Sequence, residues 1–381
     1  MERIYYLLLL LAGGLFTSCG KPAVKVVDYN GDDVYVCDFF NVSDQPVELR
    51  LSDFVDSLRV VRLADDTNAI IGNSQVYLSE HYIMVRPDWK SAIKLFDSDG
   101  NYLNDVGKIG RGPGEYGSVQ DMQIDEENGR IYVMPINTFF LYTYDLEGNY
   151  VGAVRLAGGF PKGKFEVKDS CVWAVTIPFK GKVKWAAIYQ ALDGELLDSV
   201  AATPFVVNPD YSHELFVDRA NRSIYFSIWN VKKQDALYRY EPGNNRLTPR
   251  FIVNFGGVKE IPMHVLHELG NYFWFQTMTI QQVSANSFEA RPDKSVLVDK
   301  KQLTATSTYK IINDFLGYPT SLSNFSNGYY TENLSPLQFK EKLERADANS
   351  SLSPEVRERV RKWLADIDED GNNYVIIGKM K

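Results

Sequence analysis

The chain has 381 residues, 45% of them hydrophobic, and carries a formal net charge of −8. That length is ample for a large core, and the acidic balance argues against nucleic acid, which demands a basic surface. The abundance of Tyr and Phe, 23 and 21 residues, suits twisted sheets, where aromatic side chains pack well.

A charged start (Glu2, Arg3) and an apolar run from Ile4 to Leu11 open the chain, followed by Ala12-Gly13-Gly14 and Phe16-Thr17-Ser18-Cys19. The run is too short to span a bilayer, so residues 1–18 read as a signal peptide. The Cys after small residues resembles a bacterial lipobox, although Phe16 stands where an aliphatic residue is usual. Acyl chains on Cys19 would anchor the protein without a transmembrane helix. Residues 19–50 are expected to be an anchor and lead-in arm with one strand-like stretch at Val34 to Phe40. Gly20-Lys21-Pro22 lacks an acidic run of the kind that resembles a surface-export signal, which favours the periplasmic side of the outer membrane. The remaining thiols, Cys37 and Cys171, read as two small half-buried side chains rather than a disulfide.

Leu58–Leu63 alternates and is predicted to be a strand. Then a phrase recurs: Phe96-Asp97-Ser98-Asp99-Gly100-Asn101-Tyr102, Tyr144-Asp145-Leu146-Glu147-Gly148-Asn149-Tyr150 and Ala191-Leu192-Asp193-Gly194-Glu195, with a looser copy at Tyr240-Glu241-Pro242-Gly243-Asn244. The turn glycines are separated by 48 residues (100 to 148), 46 (148 to 194) and 49 (194 to 243). Such a period, with only short strands between, marks a β-propeller blade. Four-stranded units are predicted at 74–106, 119–156, 165–200, 213–253 and, less regularly, 265–298. A sixth unit, with strands at Tyr309–Asn313 and Gly328–Glu332, is interrupted by a helical insert over about 335–367. Ser335-Pro336 and Ser353-Pro354 are the cap-plus-first-turn pairs that start its two helices. The last strand, Tyr374–Gly378, needs a partner, and Leu58–Leu63 is the spare strand that supplies one. The fold class is therefore all-β: a six-bladed β-propeller over 51–381, closed by an N-terminal strand joining the C-terminal blade.

Between the first two units runs Gly107-Lys108-Ile109-Gly110-Arg111-Gly112-Pro113-Gly114-Glu115-Tyr116. This segment resembles that of the six-bladed NHL-like propeller lipoproteins of Bacteroidota, and the likeness extends over nearly the whole mature chain. The resemblance implies a lipid-anchored envelope propeller and says little of activity. In physical terms the glycines supply positive φ for a return across a narrow gap, with Tyr116 packed between blades.

Chemistry-bearing motifs are sparse. Asp366, Asp368 and Asp370 followed by Gly371 match the start of a calcium loop, but its twelfth position falls on Ile377, so a polar helix-to-strand turn is the competing reading. His264 and His267 would share a metal only on a helix. No nucleophile elbow or reactive Cys motif is present, and no cofactor is predicted. One pattern stands out once a meander is assumed: loops between strands two and three, and between blades, collect lysines, among them Lys162 and Lys164, on a single face. Trp89, Lys90, Arg111, Lys180, Lys182, Trp229 and Lys232 are the candidate ligand-binding residues there, cations for anions and rings for stacking. The expectation is a monomeric, non-catalytic binding module for a glycan, peptide or envelope protein. The alternative is a lactonase- or lyase-like propeller enzyme with a metal in its channel, which requires side chains to converge from several blades.

Overall fold

The computed structural model describes residues 22–72, 74–86, 91–136, 138–160, 162–208, 212–221, 223–284 and 287–381; the lipobox and Cys19 lie outside them. Antiparallel sheets follow one another along the chain. Sheet one comprises Gln75–Leu78, Tyr82–Arg86, Ile93–Asp97 and Tyr102–Val106. Sheet two is Val119–Asp125, Arg130–Pro135, Thr138–Asp145 and Tyr150–Phe160; sheet three is Gly163–Lys168, Cys171–Thr176, Trp185–Ala191 and Leu196–Ala201. Sheet four is His213–Val217, Tyr225–Asn230, Leu237–Glu241 and Arg246–Asn254; sheet five is Met263–Leu269, Tyr272–Ser284, Ser287–Asp299 and Thr304–Thr306. Sheet six takes Phe325–Ser326, Tyr329–Leu334 and Tyr374–Lys379 from the C-terminal region and Arg59–Arg62 from the N-terminal one. Tyr374 pairs with Arg62 and Ile377 with Arg59 in that last ladder, so the two ends of the fold meet as expected.

Second strands such as Arg130–Pro135 and Tyr225–Asn230 are buried on both faces, whereas an outermost strand such as Leu196–Ala201 is largely exposed. A sheet standing between two neighbours hides its middle and leaves its outer edge in solvent, which explains strands that read as continuous apolar runs. Packing between sheets is aromatic. Phe251 of sheet four stacks on Phe273 of sheet five at 4.5 Å, and Tyr116 meets Tyr144 edge-on at 6.2 Å. Tyr116 is buried between sheets one and two, where its hydroxyl accepts from Ile93 N at 2.9 Å and donates to Val106 O.

The recurring turn has two uses. In the first two copies the first Asp folds the turn onto itself: Asp97 accepts from Asn101 N at 2.9 Å and Asp145 from Asn149 N at 2.7 Å. In the first two copies the glycine also docks on the preceding sheet's last strand. Gly100 O accepts from Ala64 N at 2.8 Å and Gly148 O from Gly107 N at 2.9 Å. A Cβ on Gly148 would lie 2.0 Å from Asp105 O, whereas one on Gly194 would meet nothing within 4 Å.

The N-terminal residues are more than a lead-in arm. Val24–Tyr29 and Asp32–Asp38 form a hairpin that adds to the outer edge of sheet four, Tyr35 pairing in parallel with Phe251 and Asp38 with Asn254. An open edge strand is thereby covered and Cys37 buried, its thiol pushed up to about 12 by that burial. The strand predicted to run through Phe40 ends at Asp38, whose carboxylate accepts from Phe40 N at 3.1 Å and turns the chain. Tyr309–Asn313 does not enter sheet six. It pairs in parallel with Val47–Arg50 and antiparallel with Tyr318–Thr320, and the turn before it is tied to the same N-terminal segment by Val47 N donating to Thr308 O at 2.9 Å and Thr306 Oγ1 to Gln45 O at 2.6 Å. Cys37 and Cys171, in different sheets, are both free thiols.

The insert consists of two helices, Pro336–Asp347 and Pro354–Asp366. Ser335 and Gln338 form a reciprocal capping box, and Ser353 caps Val356 N at 3.3 Å. Phe339, Leu343, Ala346 and Val360 bury their apolar stripe against Tyr318, Tyr374 and Ile376.

Gly148→Ala is expected to destabilise the protein by roughly 3 kcal/mol, since φ of +81° and the Asp105 carbonyl both oppose a side chain. Gly194→Ala, with φ of +104° but open space, is expected to cost only about 1–2 kcal/mol. Paired urea denaturation curves check the difference; equal midpoints would show that the inter-sheet dock contributes nothing.

Candidate functional site

The first hairpin turns of the sheets gather at one end. His81 N donates to Glu126 Oε1 at 2.8 Å, joining sheets one and two. Residues 218–221, after the first strand of sheet four, reach the turns of sheets five and six. Asn221 Nδ2 donates to Glu268 O at 2.6 Å, while Asn327 N and Gly328 N donate at 2.7 Å to Arg219 O and Ala220 O. At the opposite end, Lys180 N donates to Val207 O at 2.9 Å and Ile261 N to Val231 O at 2.7 Å, so the connections between strands two and three lie with those between sheets.

Between these ends are two adjoining cavities of about 400 and 550 Å³ that share Arg219, Ser323 and Phe325. Their walls come from five sheets and the approach to the third: Gln75 and Tyr77, Gln120, Lys162 just before sheet three, Phe216, His267 and Trp274, and Thr331. Arg219 is exposed and makes no ion pair or side-chain hydrogen bond among the described residues. Lys162, by contrast, is neutralised by Glu214 at 2.7 Å.

Beneath Arg219 lies a buried polar knot. Asp218, fully buried, accepts from His267 Nδ1 at 2.9 Å, Ala220 N at 2.8 Å, Asn221 Nδ2 at 2.8 Å and Glu268 N at 3.2 Å. Burial alone would raise its carboxyl, but the His267 hydrogen bond and charge, with Lys164 nearby, hold it below the usual range. Burial pushes the Lys164 ammonium down; it donates to Asp218 O at 3.0 Å and Asn221 O at 2.8 Å. Burial raises Asp121, which accepts from Phe165 N at 3.1 Å. His267 stacks on Trp274 at 4.8 Å, which fixes its ring plane.

The larger cavity has a second anchored wall. Glu332, buried, accepts from Tyr318 Oη at 2.7 Å, Asn324 Nδ2 at 3.0 Å, Thr320 Oγ1 at 3.2 Å and Lys342 Nζ at 3.3 Å. Ser74, Ser321, Ser323 and Asn333 complete a lining rich in hydroxyls and amides. Such a surface hydrogen-bonds a polar ligand, and Arg219 offers the unpaired charge.

The residues singled out from sequence do not gather here. Trp89 and Lys90 lie outside the described residues. Arg111, Lys180, Lys182 and Lys232 are exposed on three loops, Lys180 and Lys182 sharing one. Lys182 lines a different, peripheral groove between sheets two and three, with Phe139, Arg155 and Gly158. Trp229 is buried and donates Nε1 to Ile261 O at 3.1 Å; it fills the sheet four–five interior and offers no ring to a ligand. Lys164, counted among the loop lysines, is a buried strand residue. In the proposed calcium turn, Asp368 Oδ2 accepts from Arg62 at 2.7 Å and Oδ1 from Asp370 N at 3.2 Å, as a polar turn requires. Among the described residues no group of three or more His, Cys, Asp or Glu side chains is placed to hold a metal ion. His264 and His267 sit in strand Met263–Leu269, where odd spacing sends them to opposite faces. Asp218, Arg219 and Glu332 were missed as site residues because only the three-dimensional approach of distant turns makes them one.

Burial lowers His264 to about 4; its Nδ1 contacts Pro262 O at 2.8 Å. Unfolded, it binds a proton below the ordinary value of about 6.5, so stability should fall as pH drops from about 6.5 to 4 and level off below. The loss attributable to His264 is about 3 kcal/mol at most, and His264→Gln should flatten that limb of a urea-midpoint profile. An unchanged slope would mean that the imidazole protonates without penalty.

A family model described as a domain of unknown function, DUF4934, matches residues 34–379. No curated protein matches the chain. A solved structure from Bacteroides fragilis, provisionally described as an exported protein, aligns with a TM-score of 0.55 at 12% identity, covering 88% of this chain and 100% of that one. A DUF4221 family member from Bacteroides vulgatus aligns at 0.44 and 11% identity, covering 85% and 96% respectively. The WD40 domain of Toxoplasma gondii coronin aligns at 0.38 and 8% identity, covering 75% and 72%. With its match running from the N-terminal hairpin to the last strand, this chain belongs to the DUF4934 family.

Proposed function

We propose that the chain is a six-bladed β-propeller of the bacterial envelope, lipid-anchored through Cys19 on the periplasmic side of the outer membrane, that binds an anionic, hydroxyl-rich ligand in its axial cavity. The observation that carries this reading is the convergence of five sheets and the approach to the third on two cavities that share Arg219, a cation with no ion pair among the described residues. Sheets one to four touch through their first strands, the second strand of sheet four touches the first of sheet five, sheet six touches sheet one, and the N-terminal strand completes sheet six, contacts that a ring would use. Export is supported by the sequence of residues 1–19 and by the description of the Bacteroides fragilis relative in fold.

Binding without turnover is the reading favoured by the site's chemistry. Its carboxylates are each engaged: Asp218 by four donors, Glu332 by four, Asp121 by backbone amides. A rigid, hydrogen-bonded wall suits recognition of an acidic glycan; an acidic peptide or a loop of an envelope protein presents the same carboxylate to Arg219.

Calorimetric titration with uronate-bearing oligosaccharides, neutral oligosaccharides and acidic peptides tests this. The acidic sugars should bind, and Arg219→Ala should weaken them about 10- to 100-fold, the worth of a charge-assisted hydrogen bond of about 1.5–3 kcal/mol. The melting temperature should hardly change, since the guanidinium has no partner to lose. Lys180→Ala with Lys182→Ala should leave affinity intact. Equal affinity in the parent and Arg219→Ala would remove the axial site.

A further inference from the structure

The second and third strands of sheet five run far beyond the sheet. Tyr272–Ser284 and Ser287–Asp299 stay paired from Tyr272↔Asp299 out to Ser284↔Ser287, but residues 279–284 and 289–293 are exposed on both sides. About 20 Å of two-stranded ribbon therefore stands clear of the body. A two-stranded ribbon has no core of its own and is marginal in water without something to cover it. Its faces differ: Met278 and Ile280 share one with their partners Pro292 and Ala290, while Thr279 and Gln281 share the other with Arg291 and Glu289. Ile280 is 40% exposed and Val283, near the tip, 52%.

The ribbon's base marks where the chain leaves toward Cys19. Lys294 Nζ lies 5.2 Å from the Phe39 ring, and Asp38 N, beside that ring, donates to Ala23 O at 2.8 Å. Cys19 precedes Ala23 by four residues, a reach of about 14 Å at most. The same rim carries Phe40, 65% exposed, and Val258, 38% exposed, with exposed Lys232 and Lys259 beside them. Apolar side chains interspersed with lysines, next to an acylated residue, suit a membrane interface with anionic headgroups.

From this placement we infer that the ribbon's Met278–Ile280–Ala290–Pro292 face, with the Phe40 rim, docks on the lipid bilayer and orients the disc relative to it. The inference rests on the anchored reading for the position of the bilayer and is independent of the axial ligand. It assigns Lys232 to lipid headgroups in place of a soluble ligand.

The test uses full-length protein purified from membranes and reconstituted in phosphatidylethanolamine–phosphatidylglycerol vesicles, with an environment-sensitive fluorophore carried at Ile280→Cys. Leu197→Cys, on the outer edge of sheet three, is the control, and the unsubstituted protein is the blank for Cys171. Ile280 label should shift to the blue and lose intensity to brominated acyl chains, while Leu197 label does neither. Absence of that shift and quenching overturns the inference, whatever the mass of the N-terminal peptide says of Cys19. Quenching in a protein whose N-terminal peptide proves unacylated would uphold the ribbon and remove the anchor. A blue shift without vesicles that grows with protein concentration would assign the face to a second copy and overturn the membrane assignment.

Discussion

Neighbouring sheets in this fold face each other without a shared backbone ladder, so something other than β-pairing must fix one against the next. On the inner side of the sheets that task falls to polar side chains reaching across to a neighbour's backbone. Gln123 both donates to and accepts from Val167 at 2.7 Å, Asp121 accepts from Phe165 N, Lys164 donates to carbonyls at 218 and 221, and Asn221 donates to Glu268 O. Each bond satisfies a main-chain group that an inner strand would otherwise leave unpaired and partly buried, which costs more than the bond itself contributes. Elsewhere the contact is apolar and aromatic, as at Phe251–Phe273 and Tyr116–Tyr144.

That division of labour makes the inner side of the sheets polar before any ligand is considered. Inner strands too far apart to pair leave space, and groups placed there for stitching become the lining of that space. Asp218 illustrates the coupling: it collects the turn of sheet four, His267 of sheet five and, through Arg219 O and Ala220 O, brings the sheet-six turn alongside. The charge is tolerable in the interior because four donors surround it. Arg219, one residue on, lines the cavities and makes no ion pair among the described residues. Structural and recognition roles are thus separated by a single peptide bond.

Much of the architecture was legible because it rests on local signals. The Asp-Gly turns located the third and fourth strands of four sheets, Ser-Pro pairs located both helices, and the orphan strand near Leu58 found its partner by the logic of open edges. The site was less legible, for two reasons. Loop lysines were judged by position alone, yet Lys164 lies one residue inside its strand, where an ammonium becomes a cap for two buried carbonyls. Trp229 ends a strand next to a lysine-bearing loop and reads as available, but the segment leading to Ile261 folds over it. Nothing in linear order announces that residues near 120, 218, 267 and 325 share a cavity. Parallel pairing was equally silent: Asp32–Asp38 looks like any short strand and owes its place to an edge more than two hundred residues away.

The N-terminal residues deserve a mechanical reading of their own, because between 24 and 62 they touch three separate parts of the fold. They cover the outer edge of sheet four, pair with Tyr309–Asn313 and complete sheet six against Tyr374–Ile377. All of these partners come later in the chain, and Arg62 and Asp368 join positions 306 residues apart. Loop-closure entropy is spent before any of these contacts forms, so this belt is the part of the chain that must wait longest for its partners. Until residues 374–377 exist, the Arg59–Arg62 strand of sheet six has no partner, and an unpaired strand is prone to mispairing. A segment that is synthesised first and docks last is also the segment that leads toward Cys19. Tension applied from the N-terminal side would be borne by the hairpin on sheet four before it reached the Arg59–Arg62 strand.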